Sequence, residues 1–305
     1  MLVNHMEFAL AVIPAFLIIV VGYIGQKIIG FERKSVSSTA LYLMYPFLAF
    51  RTFYENQLTV EYFYILIFCL LLCLTMILVV KAAARVMKAS RKKLSAMILS
   101  AVFMNSGNYG TPIILFAFGT AGFDYAIIMM VIQSFLMNTV GIYYAAKGSS
   151  DEFNLKESLL SIAKMPIIYG AMAGILFQLA FVPVPGFLMQ PVNLIADATI
   201  PTIMIVLGMQ LATIRRKEVK RANLYSIVVM KMLIAPAIAV GLVMLLPIDG
   251  VLAKILIILA AMPTAANTTM FSLQFNTEPD LVSYSTLVTT LLSIVTIPLL
   301  LAILS

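Results

Sequence analysis

The sequence predicts an all-α integral membrane protein of ten transmembrane helices. They form two inverted five-helix repeats, with the fourth and ninth helices broken. Three observations carry this reading. First, 62% of the residues are hydrophobic and only 11% charged, where a soluble domain carries about 25% charged residues; the mean hydropathy is +1.05. Second, apolar runs recur at lengths near the roughly 20 residues that cross a bilayer. Third, two of those runs contain residues that do not belong in an unbroken helix in lipid.

Taken in order, the ten apolar cores are 8–28, 36–54, 61–84, 94–119, 124–146, 157–181, 192–213, 223–246, 251–275 and 280–304. The first is not expected to be a signal peptide, since Met1 to Glu7 contains no Lys or Arg and the apolar run after it is too long for an h-region. Basic residues gather in alternate loops. Lys27, Arg33 and Lys34 follow the first span; Lys81, Arg85, Lys88, Arg91, Lys92 and Lys93 surround the end of the third. Lys147, Lys156 and Lys164 lie at the centre, and Arg215, Arg216, Lys217, Lys220 and Arg221 follow the seventh. The opposite side has little more than Arg51 and Lys254. The positive-inside rule therefore puts the central loop in the cytoplasm and both termini outside. The net charge of +7 is explained by this topology, so no nucleic-acid partner is expected; the expected surroundings are membrane lipid.

The halves match in spacing. Pro14, Gly22 and Gln26 in span 1 correspond to Pro166, Gly174 and Gln178 in span 6, and Pro46 to Pro201. Asp124 opens span 5 as Asp280 opens span 10. This divides the chain into a first repeat, 1–147, a short linker, 148–156, and a second repeat, 157–305. Five spans per half require the second repeat to be inverted, an arrangement typical of secondary transporters, with the site at the repeat interface.

Chemistry-bearing residues are few. His5 is the single histidine, and Cys69 and Cys73 stand four apart on one helix face, where small packing residues are expected. No nucleophile–base pair or metal set is apparent, so neither an enzyme nor a metal or cofactor site is expected. The two breaks stand out instead. In span 4, Asn105-Ser106-Gly107-Asn108-Tyr109-Gly110-Thr111-Pro112 interrupts the helix; in span 9, Pro263-Thr264-Ala265-Ala266-Asn267-Thr268-Thr269 does so. Non-helical backbone at membrane depth is tolerated only where protein buries it or a cavity adjoins it. Paired breaks at corresponding positions point to a transport site.

At these residues the chain resembles the auxin efflux carrier family, in its bacterial, malate- and malonate-permease-like branch. The Asn- and Gly-rich stretch ending at Pro112 is similar to that family's motif, as are Met262-Pro263-Thr264-Ala265-Ala266-Asn267 and the last span's Thr296-Ile297-Pro298. The resemblance implies that helices 4 and 9 cross at their breaks and that one bundle moves against another like an elevator. It also implies a homodimer, and a substrate ligand at Asn105, seven residues before Pro112. Asn267 is supported by the bacterial pattern alone.

The charge pattern runs span 4 from inside to outside. Thr111 then suits the N-cap and Pro112 the first turn of its outer half, while Asn267 or Thr268 can cap the second half of span 9. Free N–H groups at such a helix start can hold a carboxylate, with amides from Asn105, Asn108 and Asn267 beside them. The same Asn and Thr residues also suit a purely structural task, bonding backbone groups freed by the breaks. Gly107 and Gly110 permit close approach at the crossing. Two readings of Lys231 stand: attracting an anion or meeting a helix C-terminal end at the crossing, and snorkelling to the surface. Asp197 reads as an acid at a helix N-terminus, with an ion ligand as the other reading. The expected substrate is a small mono- or dicarboxylate. The rivals are a sodium-coupled symporter of the bile-acid type and a membrane sensor that binds without transporting.

Overall fold

The structure, a computed structural model, describes residues 12–149, 163, 165–214 and 219–304. His5, Lys156, Lys164, Arg215, Arg216, Lys217 and all but the first two residues of the 148–156 linker lie outside the described residues. The described residues form helices throughout, with no named strand among them. In chain order, α1 is Ile13–Ile29, and α2 covers 33–55 in three pieces, Arg33–Ser38, Thr39–Met44 and Tyr45–Glu55. Helix α3 is Val60–Val86, α4 is Arg91–Ala101, α5 is 106–118 and α6 is 120–148. Helix α7 is Pro166–Leu179 and α8 is Gly186–Thr213. Helix α9 covers 221–245 as Arg221–Val229, Met230–Ile234 and Ala235–Leu245; α10 is Gly250–Ala260, α11 Thr268–Gln274 and α12 Pro279–Leu304. Among the described residues five stretches are long and apolar enough to cross a membrane, one of them being α5 and α6 taken together, and α1, α7 and α10 are shorter apolar helices. Outward faces carry large apolar side chains, such as Leu17, Val21 and Ile28 on α1 and Phe63, Leu74 and Leu78 on α3. They suit lipid.

Prolines shape three of these helices in one way. A π-helical turn ends two residues before Pro46, two before Pro112 and two before Pro236. Proline cannot donate to the carbonyl four residues back, and its ring collides with that carbonyl. A wider π turn absorbs the conflict without ending the helix, and such turns collect at functional sites. Here they hold Tyr45, Asn108 and Lys231 at or next to the widened turn.

The reversal between α5 and α6 occurs at Gly119, whose φ of 70° and ψ of −164° suit glycine. The following helix runs back beside the break and α4. Cβ atoms built at Gly107, Gly141 and Gly148 would meet Met130, Phe103 and Ser95 respectively.

Two groups of helices pack differently. Helix α1 lies against α8, and α2 against α7, with backbones nearly touching. A Cβ at Gly22 would stand 2.1 Å from the Ile205 carbonyl oxygen, and one at Gly208 would stand 2.0 Å from that of Ile19. At Gly170 it would stand 2.1 Å from the Pro46 carbonyl oxygen. Small residues allow this approach between helices in lipid. The GxxxG spacing at Gly170 and Gly174 is thus used inside the chain. The remaining helices, α3 to α6 and α9 to α12, pack around the two breaks.

Asp197 corrects one expectation. Helix α8 begins at Gly186 and runs through Pro191 and Pro201, so Asp197 lies well inside it. Its side chain, 69% exposed, pairs with Arg51 at 2.6 Å.

Candidate functional site

The breaks at 102–105 and 261–267 meet each other. The Asn105 N–H donates to the Pro263 carbonyl at 2.8 Å, and the Ala265 N–H to the Phe103 carbonyl at 3.1 Å. These bonds form an antiparallel bridge between Met104 and Thr264. Backbone groups freed by a break at membrane depth each cost several kcal/mol if left unpaired; here each break supplies partners for the other. Thr264 pins the junction. Its hydroxyl donates to the Ser100 carbonyl at 2.7 Å, and its N–H donates to the Thr289 hydroxyl of α12 at 3.1 Å. Gly110 faces the same junction: a Cβ there would come within 2.7 Å of Leu259 on α10.

Helix α5 begins six residues earlier than expected. Asn105 stands at the start of the π turn Ser106–Gly110, and its carbonyl accepts the Gly110 N–H at 2.9 Å. Thr111 is therefore not an N-cap. It is fully buried, and its hydroxyl donates back to the Gly107 carbonyl at 2.6 Å. The reason is Pro112, whose demand for a widened turn draws the preceding residues into helix. Asn267 holds the cap position of α11, but its side chain makes no capping bond. Thr268 is buried and its hydroxyl donates to the Ala265 carbonyl at 2.7 Å.

Beside the crossing lies a cavity of about 850 Å³, between the α1/α2/α7/α8 group and the other helices. Asn105, Gly107, Asn108 and Asn267 line its inner end; Arg33, Lys34, Gln274 and Asp280 line the end that reaches the surface. Gln133, Asn138 and Gln210 line its walls. The carboxamide nitrogen of Asn105 is the distinctive group: the residue is 5% exposed, and this nitrogen has no hydrogen-bond partner. A buried amide donor without a partner costs on the order of 1–3 kcal/mol, and an arriving acceptor would relieve that cost. Asn108 uses its carboxamide oxygen to accept the Tyr45 hydroxyl at 2.9 Å.

Of the residues singled out from sequence, the structure brings Asn105, Asn108 and Asn267 together on the cavity. Thr111, Thr268 and Lys231 are not among its lining residues, and neither are Gly110, Pro112 and Pro263, which build the crossing. Lys231 does not snorkel: it is 0% exposed, because the protein-facing stripe of α9 carries it inward. Tyr45 was missed from sequence. The signal for it is its place directly before Pro46, where the widened turn aims its ring across the cavity toward Asn108.

A multi-pass helical protein with two broken helices paired at a cavity of amide groups is a membrane transport protein in build. The comparisons agree. Residues 8–301 match the membrane transport protein family, so the chain belongs to it, the auxin efflux carrier family of the resemblance above. An uncharacterized transporter of Methanocaldococcus jannaschii is 27% identical over 303 residues, covering 94% of this chain and 96% of the relative. One of Methanothermobacter thermautotrophicus is 25% identical over 296 residues, covering 94% and 95%.

Proposed function

We propose that the protein is a secondary transporter of small organic anions, mono- or dicarboxylates, that binds them where the two breaks meet. The observation that carries this reading is the unpartnered Asn105 amide at the cavity's inner end. It stands at the N-terminal end of the arm α5, where free N–H groups and the helix dipole favour negative charge. The described cavity lining contains no carboxylate except Asp280 at the surface end, where Arg33 and Lys34 also lie. Two exposed cations at the mouth would steer an anion inward. By the positive-inside rule this mouth faces the cytoplasm.

An elevator-type movement is supported by the unlike packing of the two helix groups. The α1/α8 and α2/α7 pairs would form the fixed frame, and the helices around the crossing the carrier. An inverted repeat of 1–147 and 157–305 also makes sense of that frame, since exchanging span 1 with 6 and span 2 with 7 turns the one pair into the other. Asn105→Ala is expected to keep its fold and lose at least tenfold in uptake, the equivalent of about 1.4 kcal/mol. The test is counterflow of a panel of labelled carboxylates in proteoliposomes, with sodium and membrane potential varied. Wild-type rates in the variant would remove Asn105 from the site, and no counterflow with any acid would remove the substrate class.

A further inference from the structure

The hairpin between α3 and α4 carries Lys81, Arg85, Lys88, Arg91, Lys92 and Lys93. The positive-inside rule accounts for their side of the membrane but not for their isolation from acids. The other basic loops each include an acid, Glu32, Asp151 or Glu218, whereas none occurs between Glu61 and Asp124. The ion pair among the described residues joins Arg51 to Asp197, so no described carboxylate neutralises the hairpin. The turn itself is fixed by hydrogen bonds. The Ala89 N–H donates to the Ala84 carbonyl at 2.8 Å and the Lys88 N–H to the Arg85 carbonyl at 3.2 Å, the paired bonds of a Schellman close. Lys88 takes its left-handed position, with φ of 48°, where glycine is usual. The Ser90 hydroxyl then accepts the Lys93 N–H at 3.3 Å and starts α4. Arg91, Lys92 and Lys93 fill the first turn of that helix, where the dipole opposes positive charge. Both placements run against local preference, and an anion beside the hairpin would offset the second.

Helix α3 supplies an apolar face to go with this charge. Phe63, Leu66, Leu70, Leu74 and Leu78 are all exposed, and their spacing of three and four residues puts them in one stripe. Lys81 and Arg85 continue that stripe at the same spacing and are exposed too. The 27 residues of α3 rise about 40 Å, close to the thickness of a bilayer with its headgroup layers. Lys81 and Arg85 therefore stand where hydrocarbon gives way to headgroups. The Lys81 Nζ lies 5.3 Å from the ring centroid of Tyr144 on α6, an amphipathic ring of the kind enriched at that depth.

We propose that this face binds an anionic phospholipid: an acyl chain lies along the stripe from Phe63 to Leu78, and the phosphate headgroup sits on Lys81 and Arg85. Lys88 and the cations at the start of α4 add to the positive potential that attracts it. A soluble phosphate would meet the cations but leave the stripe uncovered. A zwitterionic lipid would cover the stripe but brings a cation of its own to the hairpin. The hairpin belongs to the bundle around the crossing, so the lipid is held by the bundle and not by the frame. The proposal does not depend on which substrate is carried.

The test is melting of the purified full-length protein in uncharged detergent, with phosphatidylglycerol or phosphatidylcholine of the same acyl chains added. Phosphatidylglycerol is expected to raise the melting temperature by roughly 3–6 °C more than phosphatidylcholine, because a bound ligand stabilises the folded form. Lys81→Gln combined with Arg85→Gln is expected to remove that difference. Both side chains are exposed, so melting without added lipid should stay near the wild-type value. Lys220→Gln combined with Arg221→Gln removes the same charge from the start of α9 and is expected to keep the difference. Glycerol phosphate, the headgroup without chains, is expected to give no shift at the same concentration. Equal shifts from the two lipids would overturn the proposal, as would a full difference in the Lys81 and Arg85 variant. An equal loss in the Lys220 and Arg221 variant would replace the site with diffuse charge attraction. A shift with glycerol phosphate as large as with the lipid would mean a soluble anion and no lipid site.

Discussion

The frame around α1/α8 and α2/α7 and the bundle around the crossing solve the same problem in opposite ways. Both must hold helices together in lipid, where apolar burial gives little advantage. The frame does it by removing side chains: Gly22, Gly208 and Gly170 let backbone meet backbone within about one atom's width. The bundle does it by breaking helices and letting the freed N–H and C=O groups bond across the breaks. The first device cannot accept anything between its parts. The second places polar side chains along the cavity, and one buried group among them, the Asn105 amide nitrogen, is unpartnered. The polar groups at the cavity's inner end therefore belong to the bundle, and the frame supplies a wall with a polar reach across the cavity from Tyr45.

Substitutions can break this contrast in graded steps. Gly170→Leu attacks the frame at a point where even a Cβ meets backbone. It is expected to cost at least about 3 kcal/mol and to be read as loss of monodisperse protein on size exclusion. Thr264→Val attacks the bundle by removing one hydroxyl and leaving the buried Ser100 carbonyl without its bond. A cost of about 1–3 kcal/mol is expected, measured by thermal melting, together with slowed transport because the breaks lose their pin. Tyr45→Phe removes only the link between frame and bundle at Asn108. About 0.5–1.5 kcal/mol is at stake, and the expected change is a severalfold shift in transport kinetics with melting nearly unaltered. Asp197→Asn breaks the exposed pair with Arg51 inside the frame and should change stability by less than about 1 kcal/mol. If that substitution proved more damaging than Thr264→Val, charge rather than close packing would be holding the frame.

Part of the cavity's lining was legible because its signals are local. Asn105, Asn108 and Asn267 sit in stretches whose composition opposes helix, and each lines the cavity. Thr111 and Thr268 neither cap a helix start nor line the cavity, for a shared reason. Both hydroxyls have a closer acceptor in their own turn, Gly107 and Ala265, than anything across the cavity. The π turns before Pro46, Pro112 and Pro236 were not foreseen either. A proline announces a conflict in a helix, but whether the helix ends, bends or widens depends on what packs around it.

By itself the sequence determined the membrane class, the apolar segments, their charge pattern and the position of both breaks. These properties sum along the chain: hydropathy, proline and glycine act within a few residues of where they stand. Only the tertiary structure decided that the breaks bond to each other, that Tyr45 reaches Asn108, and that Lys231 is sealed in the interior. Those outcomes depend on partners far apart in the chain, such as Thr264 and Ser100, 164 positions apart. No local pattern encodes such a pairing, because it exists only when unpaired polar groups are forced to find one another in a dry interior.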